Sequence, residues 1–463
     1  MRLAPLRHPA LVVEAGDRAT LSIATSSALF ESSPAVVIVG ESDPDAAAAA
    51  AQAVESLGIP MVLATGSRSA PAVTTEVERL GARWVVAVGV LAPDLLSSFG
   101  EQVAVVTDIG ELPPLTRAPP ADGVVVLVAA DDPTLAAATA TVRASGLPLV
   151  AVDGGDPRAG AGARDALRRL APDRVVAIGR SGTFPAADAL HGLVRTVLAG
   201  DELPGGGQVL FPGRRLVALY GHPGDSNLGV LGEQPVEAAV ERARSVAAGY
   251  NGFGGEQVIP TFEIITTVAS SEPGDDGDYS LESSLDHIQP WVDAAAAAGF
   301  YVVLDLQPGY TDFLTQARRY EELLIQPHVG LALDPEWRLA PGERHMRDIG
   351  QVEADEVNRV ATWLADLTRR HALPQKLFVL HQFRLDMVPD RAEIGTHPEL
   401  ALVVQMDGLG SQESKLETWR AITTGGPQGV RFGWKNFYDE DSPTRSPADT
   451  VALRPSPVYV SYQ

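Results

Sequence analysis

Eight apolar runs of strand length recur between Leu216 and Gln463, most of them separated by an amphipathic stretch of helical length. The runs are LVALYGHPG, VIPTFEIITTVA, FYVVLDLQPG, VGLALDPEW, LFVLHQF, LALVVQMDG, GVRFGWKNFYDED and PVYVSYQ. Between them lie PVEAAVERARSVAAGY, SLDHIQPWVDAAAAAG, DFLTQARRYEELLIQ, EADEVNRVATWLADLTRRH and SKLETWRAI. Few folds accept this alternation. Near-continuous apolar strands need cover on both faces, which a parallel sheet with helical crossovers supplies. Repeated eight times over about 250 residues, the pattern predicts a (β/α)8 TIM-like barrel over 215–463.

Active sites of such barrels gather at the C-terminal ends of the strands. Here those ends carry Tyr220 and His222, Glu263, Asp305 and Gln307, Asp334 and Glu336, His381 and Gln382, Gln405 and Asp407, Trp434 with Lys435 and Asn436, and Tyr462. Polar groups at an inward mouth cost free energy unless paired or wetted, so eight such ends together define a candidate site. The set is rich in acids, amides and aromatics, which is the chemistry of a sugar cleft. Aromatic rings stack on pyranose faces, amides bind hydroxyls, and two carboxylates cleave the glycosidic bond.

The stretch LALDPEW, ending in Asp334 and Glu336 with Trp337 after them, resembles the strand-four D-x-E of barrel glycoside hydrolases, including the lysozyme-like and chitinase-like families. That resemblance implies Glu336 as general acid and Asp334 as its partner. Asp305 and Asp407 are alternative second carboxylates, and Glu263 is a further catalytic candidate. Tyr220, His222, Gln307, Trp337, His381, Gln382, Gln405, Trp434, Lys435, Asn436 and Tyr462 are expected to bind substrate; Trp337 and Trp434 serve equally well as core.

Other chemistries are less well supported. His222 and His381 could join carboxylates around a metal, but no H-x-H or H-E-x-x-H spacing occurs, so no metal and no cofactor is expected. Lys435 at a strand end suggests a Schiff base, against which a lysine paired with surrounding acids is the simpler reading. PGDDGDYS, from Pro273 to Ser280, lacks full calcium-loop spacing and reads as a solvated turn.

The first 200 residues follow a different grammar. Val-rich runs such as AVVIVG, WVVAVG, VVVLVAA and RVVAIG alternate with Ala-rich helical stretches, predicting a doubly wound parallel-sheet domain over 1–199. The domain contains an internal duplication: AVVIVGESDPDAAAAAAQAVESLGIPMVLATG returns as VVVLVAADDPTLAAATATVRASGLPLVAVDGG. Asp43–Pro44 maps to Asp132–Pro133, with Asp43 as helix cap and Pro44 at the first helical position, and Arg79 maps to Arg169. The turns GESDPD and AADDPT carry acids where a nucleotide's phosphates would sit and lack G-x-G-x-x-G, which argues against dinucleotide binding. A Gly/Pro-rich break, AGDELPGGGQVLFPGRR, marks a linker over 200–214.

Gly16, Asp17, Arg18 and Thr20, Ala46 to Ala50, and IPMVLAT together resemble bacterial cell-wall-binding repeat modules over residues 10–90, and more faintly over 120–180. The resemblance implies a flavodoxin-like module that binds an envelope polymer or assembles into homo-oligomers, and an extracellular or cell-surface location.

Charge bears on the partner. A net charge of -23 argues against nucleic acid or an anionic membrane. The chain has no cysteine, which excludes disulfides and thiolate chemistry, and no apolar run long enough to span a bilayer. MRLAPLRHPALVV does not read as a signal peptide. The chain is therefore either cytoplasmic or a form from which a leader is missing. The combined expectation is a bacterial envelope protein whose barrel hydrolyses or recognises a carbohydrate polymer. The alternatives are a non-catalytic glycan-binding or structural protein, and a metal-dependent hydrolase.

Overall fold

The structure, a computed structural model, describes residues 1–40, 44–65, 68–130 and 132–463. The expected Asp43 cap and parts of the GESDPD and AADDPT turns lie outside the described residues. The chain divides into two units, Met1–Leu198 and Ala199–Gln463. No helix among the described residues is long and apolar enough to cross a membrane.

The first unit is α/β with parallel sheets, but it does not form the single doubly wound sheet expected. It holds two separate four-stranded parallel sheets. One runs Met61–Ala64, Ala35–Gly40, Trp84–Val88, Ala104–Val106; the other runs Leu149–Val152, Val124–Ala129, Arg174–Arg180, Ala10–Ala15. Their orders match strand for strand until the last place, which is taken by the next strand in one sheet and by the chain's early strand in the other.

Local signals explain the helices of this unit. The helix Pro44–Leu57 starts at its proline, as the missing N–H allows. The Asp132 side chain accepts from the Thr134 N–H at 2.9 Å in the equivalent turn. Asp17 caps Arg18–Leu29 by accepting from both the N–H and the hydroxyl of Thr20, so this opening has a local structural role.

The second unit is a closed barrel of eight parallel strands: β1 (Arg214–Gly221), β2 (Gln257–Ala269), β3 (Tyr301–Leu306), β4 (Val329–Leu333), β5 (Lys376–Gln382), β6 (Leu400–Met406), β7 (Arg431–Asn436) and β8 (Tyr459–Tyr462). It closes through parallel pairing of β1 with both β2 and β8. A short strand, Ser280–Glu282, adds antiparallel to the end of β2. Helices cover the outside at the expected places. One of them, Ala354–Arg370, buries Val357, Val360, Ala361 and Leu364, with acids in its first turn and arginines in its last. The expected helix over 312–326 is two short ones, Phe313–Arg319 and Glu321–Leu324.

Strand alternation sorts the barrel residues into two sets. Val217, Leu219, Phe262, Val302, Leu331, Leu333, Leu380 and Trp434 face the helices and form the larger core. Leu216, Ile259, Tyr301, Val303, Ala332, Val379, Val403 and Tyr459 fill the lower lumen. Each of the valine, leucine, isoleucine and phenylalanine side chains contributes roughly 1.5–3 kcal/mol. The segment expected as a linker over 200–214 packs into this lower layer through Leu203, Leu210 and Phe211. It is pinned there: Leu210 N donates to the Gln375 side chain at 3.0 Å, and Gln375 N to the Gln208 carbonyl at 2.9 Å. The lower lumen is thus filled, and most of the charged inward positions lie toward the top.

Candidate active site

The upper lumen holds Tyr220, Glu263, Asp305, Asp334, His381, Gln405 and Lys435, with Asp407 and Gln307 just past their strands; all are buried. β4 ends at Leu333, where Pro335 cannot continue the ladder, and a 3-10 turn over Pro335–Trp337 swings Glu336 and Trp337 over the mouth. That turn is tied back by Asp334 N donating to the Leu306 carbonyl at 3.1 Å and Gly350 N to the Glu336 carbonyl at 2.7 Å.

Above this floor opens a cavity of about 620 Å³ lined by Tyr220, Gln307, Glu336, Trp337, Asp407 and Lys435. His345, Met346, Phe383, Leu409 and Phe437 are among the other residues of its walls, and sequence reading missed these five. Phe383 and Phe437 directly follow β5 and β7, so one more residue along each strand would have found them. His345 and Met346 lie in a long loop with no periodic pattern.

The floor is a connected polar network. His381 lies with Nδ1 2.8 Å from Asp407 and Nε2 2.9 Å from Glu263. Asp305 stands 3.8 Å from the same ring and accepts from the Tyr220 hydroxyl at 2.9 Å. Gln307 donates to that hydroxyl at 3.2 Å and accepts from the Ala269 N–H. Lys435 Nζ is 3.1 Å from Asp407 and 3.6 Å from the centre of the Tyr220 ring. The lysine is thus ion-paired and capped by an aromatic face, the simpler of its two expected roles. Gln405 donates to Ser461 at 2.7 Å and occupies the space where a Cβ on Gly433 would sit, 1.8 Å from its amide oxygen.

Other expected site members face elsewhere. Trp434 points at the helices, donates to Asn436 at 2.9 Å and packs against Trp419. Tyr462 pairs its hydroxyl with Tyr250 at 2.7 Å and stacks on Tyr438. Gln382 accepts from Arg391 at 2.7 Å. All four, Asn436 included, take the outward positions of their strands and leave the substrate-binding set. His222 also leaves it, since it stacks on His287 and contacts Ser283 at 3.0 Å.

Five carboxyl groups (Glu263, Asp305, Asp334, Glu336 and Asp407) meet two basic groups, His381 and Lys435, in low dielectric, so some carboxyls keep their protons. Burial and the Asp407 charge push Glu336 up to about 7. Burial pushes Asp305 up to about 6, although His381 opposes it. Burial and the Glu336 charge hold Asp334 well above its ordinary value, and its Oδ1 is buried without a partner. Asp407 goes the other way: burial would raise it, but Lys435 and His381 keep it below the usual range. His381 is opposed by burial yet held well above its ordinary value by Asp407, Glu263 and Asp305.

Asp334, His381 and Asp407 bring ligand-type atoms within 4.8 Å of one another and are the residues that could hold a cation. Their chemistry fits one poorly. Both ring nitrogens of His381 already meet carboxylates, so metal ligation would break one of those contacts. A second group, Asp276, Asp278 and Glu282, lies in and after PGDDGDYS. There Asp278 accepts from Ser280 N and Thr311 Oγ1, and Arg319 supplies positive charge to Asp276 and Glu282.

No protein-family model and no curated protein matches the chain.

Proposed function

We propose that the barrel is a glycoside hydrolase acting on a carbohydrate polymer of the bacterial envelope, with Glu336 as general acid and Asp407 as the ionised second carboxylate. One observation carries this reading: two carboxyl groups lining one cavity are driven apart in acidity, Glu336 up and Asp407 down. That division assigns acid and anion roles in glycosidic cleavage. Glu336 gives its proton to the departing glycosidic oxygen. Asp407, fixed by His381 and Lys435, stabilises the positive charge developing on the sugar ring until water adds to the anomeric carbon and returns a proton to Glu336. Trp337, Phe383 and Phe437 offer ring faces to the sugar, and Gln307 offers an amide. In this reading the first unit holds the polymer and the protein works at the cell surface.

A second reading, glycan binding without turnover, has its own support. Both oxygens of Asp407 are engaged, one by His381 and one by Lys435, which leaves it a weak nucleophile. Incubation with bacterial wall polysaccharides separates the two. New reducing ends that depend on Glu336 and Asp407 support hydrolysis, whereas retention of a polymer that stays intact supports binding alone.

A further inference from the structure

On β7 the inward positions are Arg431, Gly433 and Lys435, which puts one basic residue near each mouth of the barrel. Lys435 meets Asp407 at the top. The guanidinium of Arg431, half-buried at the bottom, has no carboxylate or hydrogen-bond partner among the described residues; it lies over the face of Phe211, 5.5 Å from the ring centre. That is unusual in a chain with 59 acidic and 36 basic residues. Nearby Arg369, by contrast, takes both Glu399 and Asp366.

Arg431 lines a cavity of about 360 Å³, apart from the one at the top. His397 lies in the same wall, and Phe378, Leu400 and Leu402 supply apolar surface. Burial lowers the pKa of both Arg431 and His397; at His397 the Glu399 and Asp366 charges work against that cost, whereas at Arg431 burial acts alone. A guanidinium resting on an aromatic ring keeps its in-plane N–H fork free for a carboxylate or phosphate.

We propose that this lower cavity is a binding site for a small molecule bearing one oxyanion, carboxylate or phosphate, on an apolar body, with Arg431 as its anchor and Phe211 as its platform. The site is independent of the glycan reading.

Calorimetric titration of the full chain with benzoate, phenyl phosphate and benzyl alcohol tests it, using the parent, Arg431→Gln and Arg431→Lys. The expected result is saturable binding of at least one anion, weakened tenfold or more by Arg431→Gln, less severely weakened by Arg431→Lys, which keeps the charge but loses the fork, and absent for benzyl alcohol. Which anion binds distinguishes carboxylate from phosphate. No saturable binding of either anion, equal binding by Arg431→Gln, or benzyl alcohol binding as tightly as the anions overturns the proposal. Should Arg431→Gln fail to fold, the His397 ring resonances of the parent decide: a shift that depends on benzoate or on phenyl phosphate is expected, and its absence with both overturns the site.

Discussion

Asp407 lies 2.8 Å from Nδ1 of His381, and both are buried in the upper lumen, with Asp407 reaching the cavity above. The contact keeps Asp407 ionised beside Asp305, Asp334 and Glu336, which burial pushes toward their protonated forms. It also fixes the imidazole, whose second nitrogen meets Glu263 at 2.9 Å. The floor of the site is therefore one electrostatic unit in which each charge depends on its neighbours.

Removing the centre of that unit should be costly. His381→Ala leaves Glu263 and Asp407 buried without their partner, and a loss of about 3–5 kcal/mol of stability is expected. Adding Glu263→Gln should recover part of it. Urea unfolding of the two variants checks both statements, and a His381→Ala loss below 1 kcal/mol would contradict the network.

Stability should also fall as pH rises through the weakly acidic range. Asp305 at about 6 and Glu336 at about 7 are both raised, so the folded chain holds protons that the unfolded chain has lost. Their contribution is fully present below about pH 4 and is lost progressively as pH climbs through about 6 and 7. Asp305→Asn and Glu336→Gln should each flatten this part of the profile, measured as denaturation midpoint against pH.

The barrel was legible in the sequence because each strand is an apolar run and each crossover an amphipathic one. Which residue of a strand enters the lumen was not. A barrel strand is buried on both faces, so the alternation in RFGWKN does not say which set enters the lumen, Arg431 and Lys435 or Phe432, Trp434 and Asn436. The same blindness drew Gln382 and Tyr462 into the expected site. Glu336 and Trp337 were found because a proline ends β4 and sets them at the mouth. His345 came from a loop whose course depends on contacts made elsewhere, such as its Nε2 meeting the Tyr279 carbonyl at 3.0 Å.

Lys376 tests a different part of the barrel. It is fully buried, has no carboxylate contact among the described residues, and donates to the carbonyls of Gln326 and Val329 at 2.9 and 2.8 Å. Burial pushes it down to about 7. The lysine's contribution to stability is therefore present in alkali and lost as pH falls toward about 7. Lys376→Met removes that dependence, so its stability relative to the parent should improve when pH drops from about 9 to about 6. Paired unfolding curves at the two values decide, and an unchanged difference would contradict a strained buried charge.

The role of Glu336 as proton donor can be tested through the leaving group. The measurement is hydrolysis by Glu336→Gln of two substrates: the wall polysaccharide that the parent cleaves, and a dinitrophenyl glycoside of the same sugar, whose phenolate departs without a proton. The account predicts a loss of roughly 10²–10⁴-fold on the polymer, the usual contribution of general acid catalysis, with most of the activity on the aryl glycoside retained. Equal loss on both substrates, or no loss on the polymer, would contradict Glu336 as the acid.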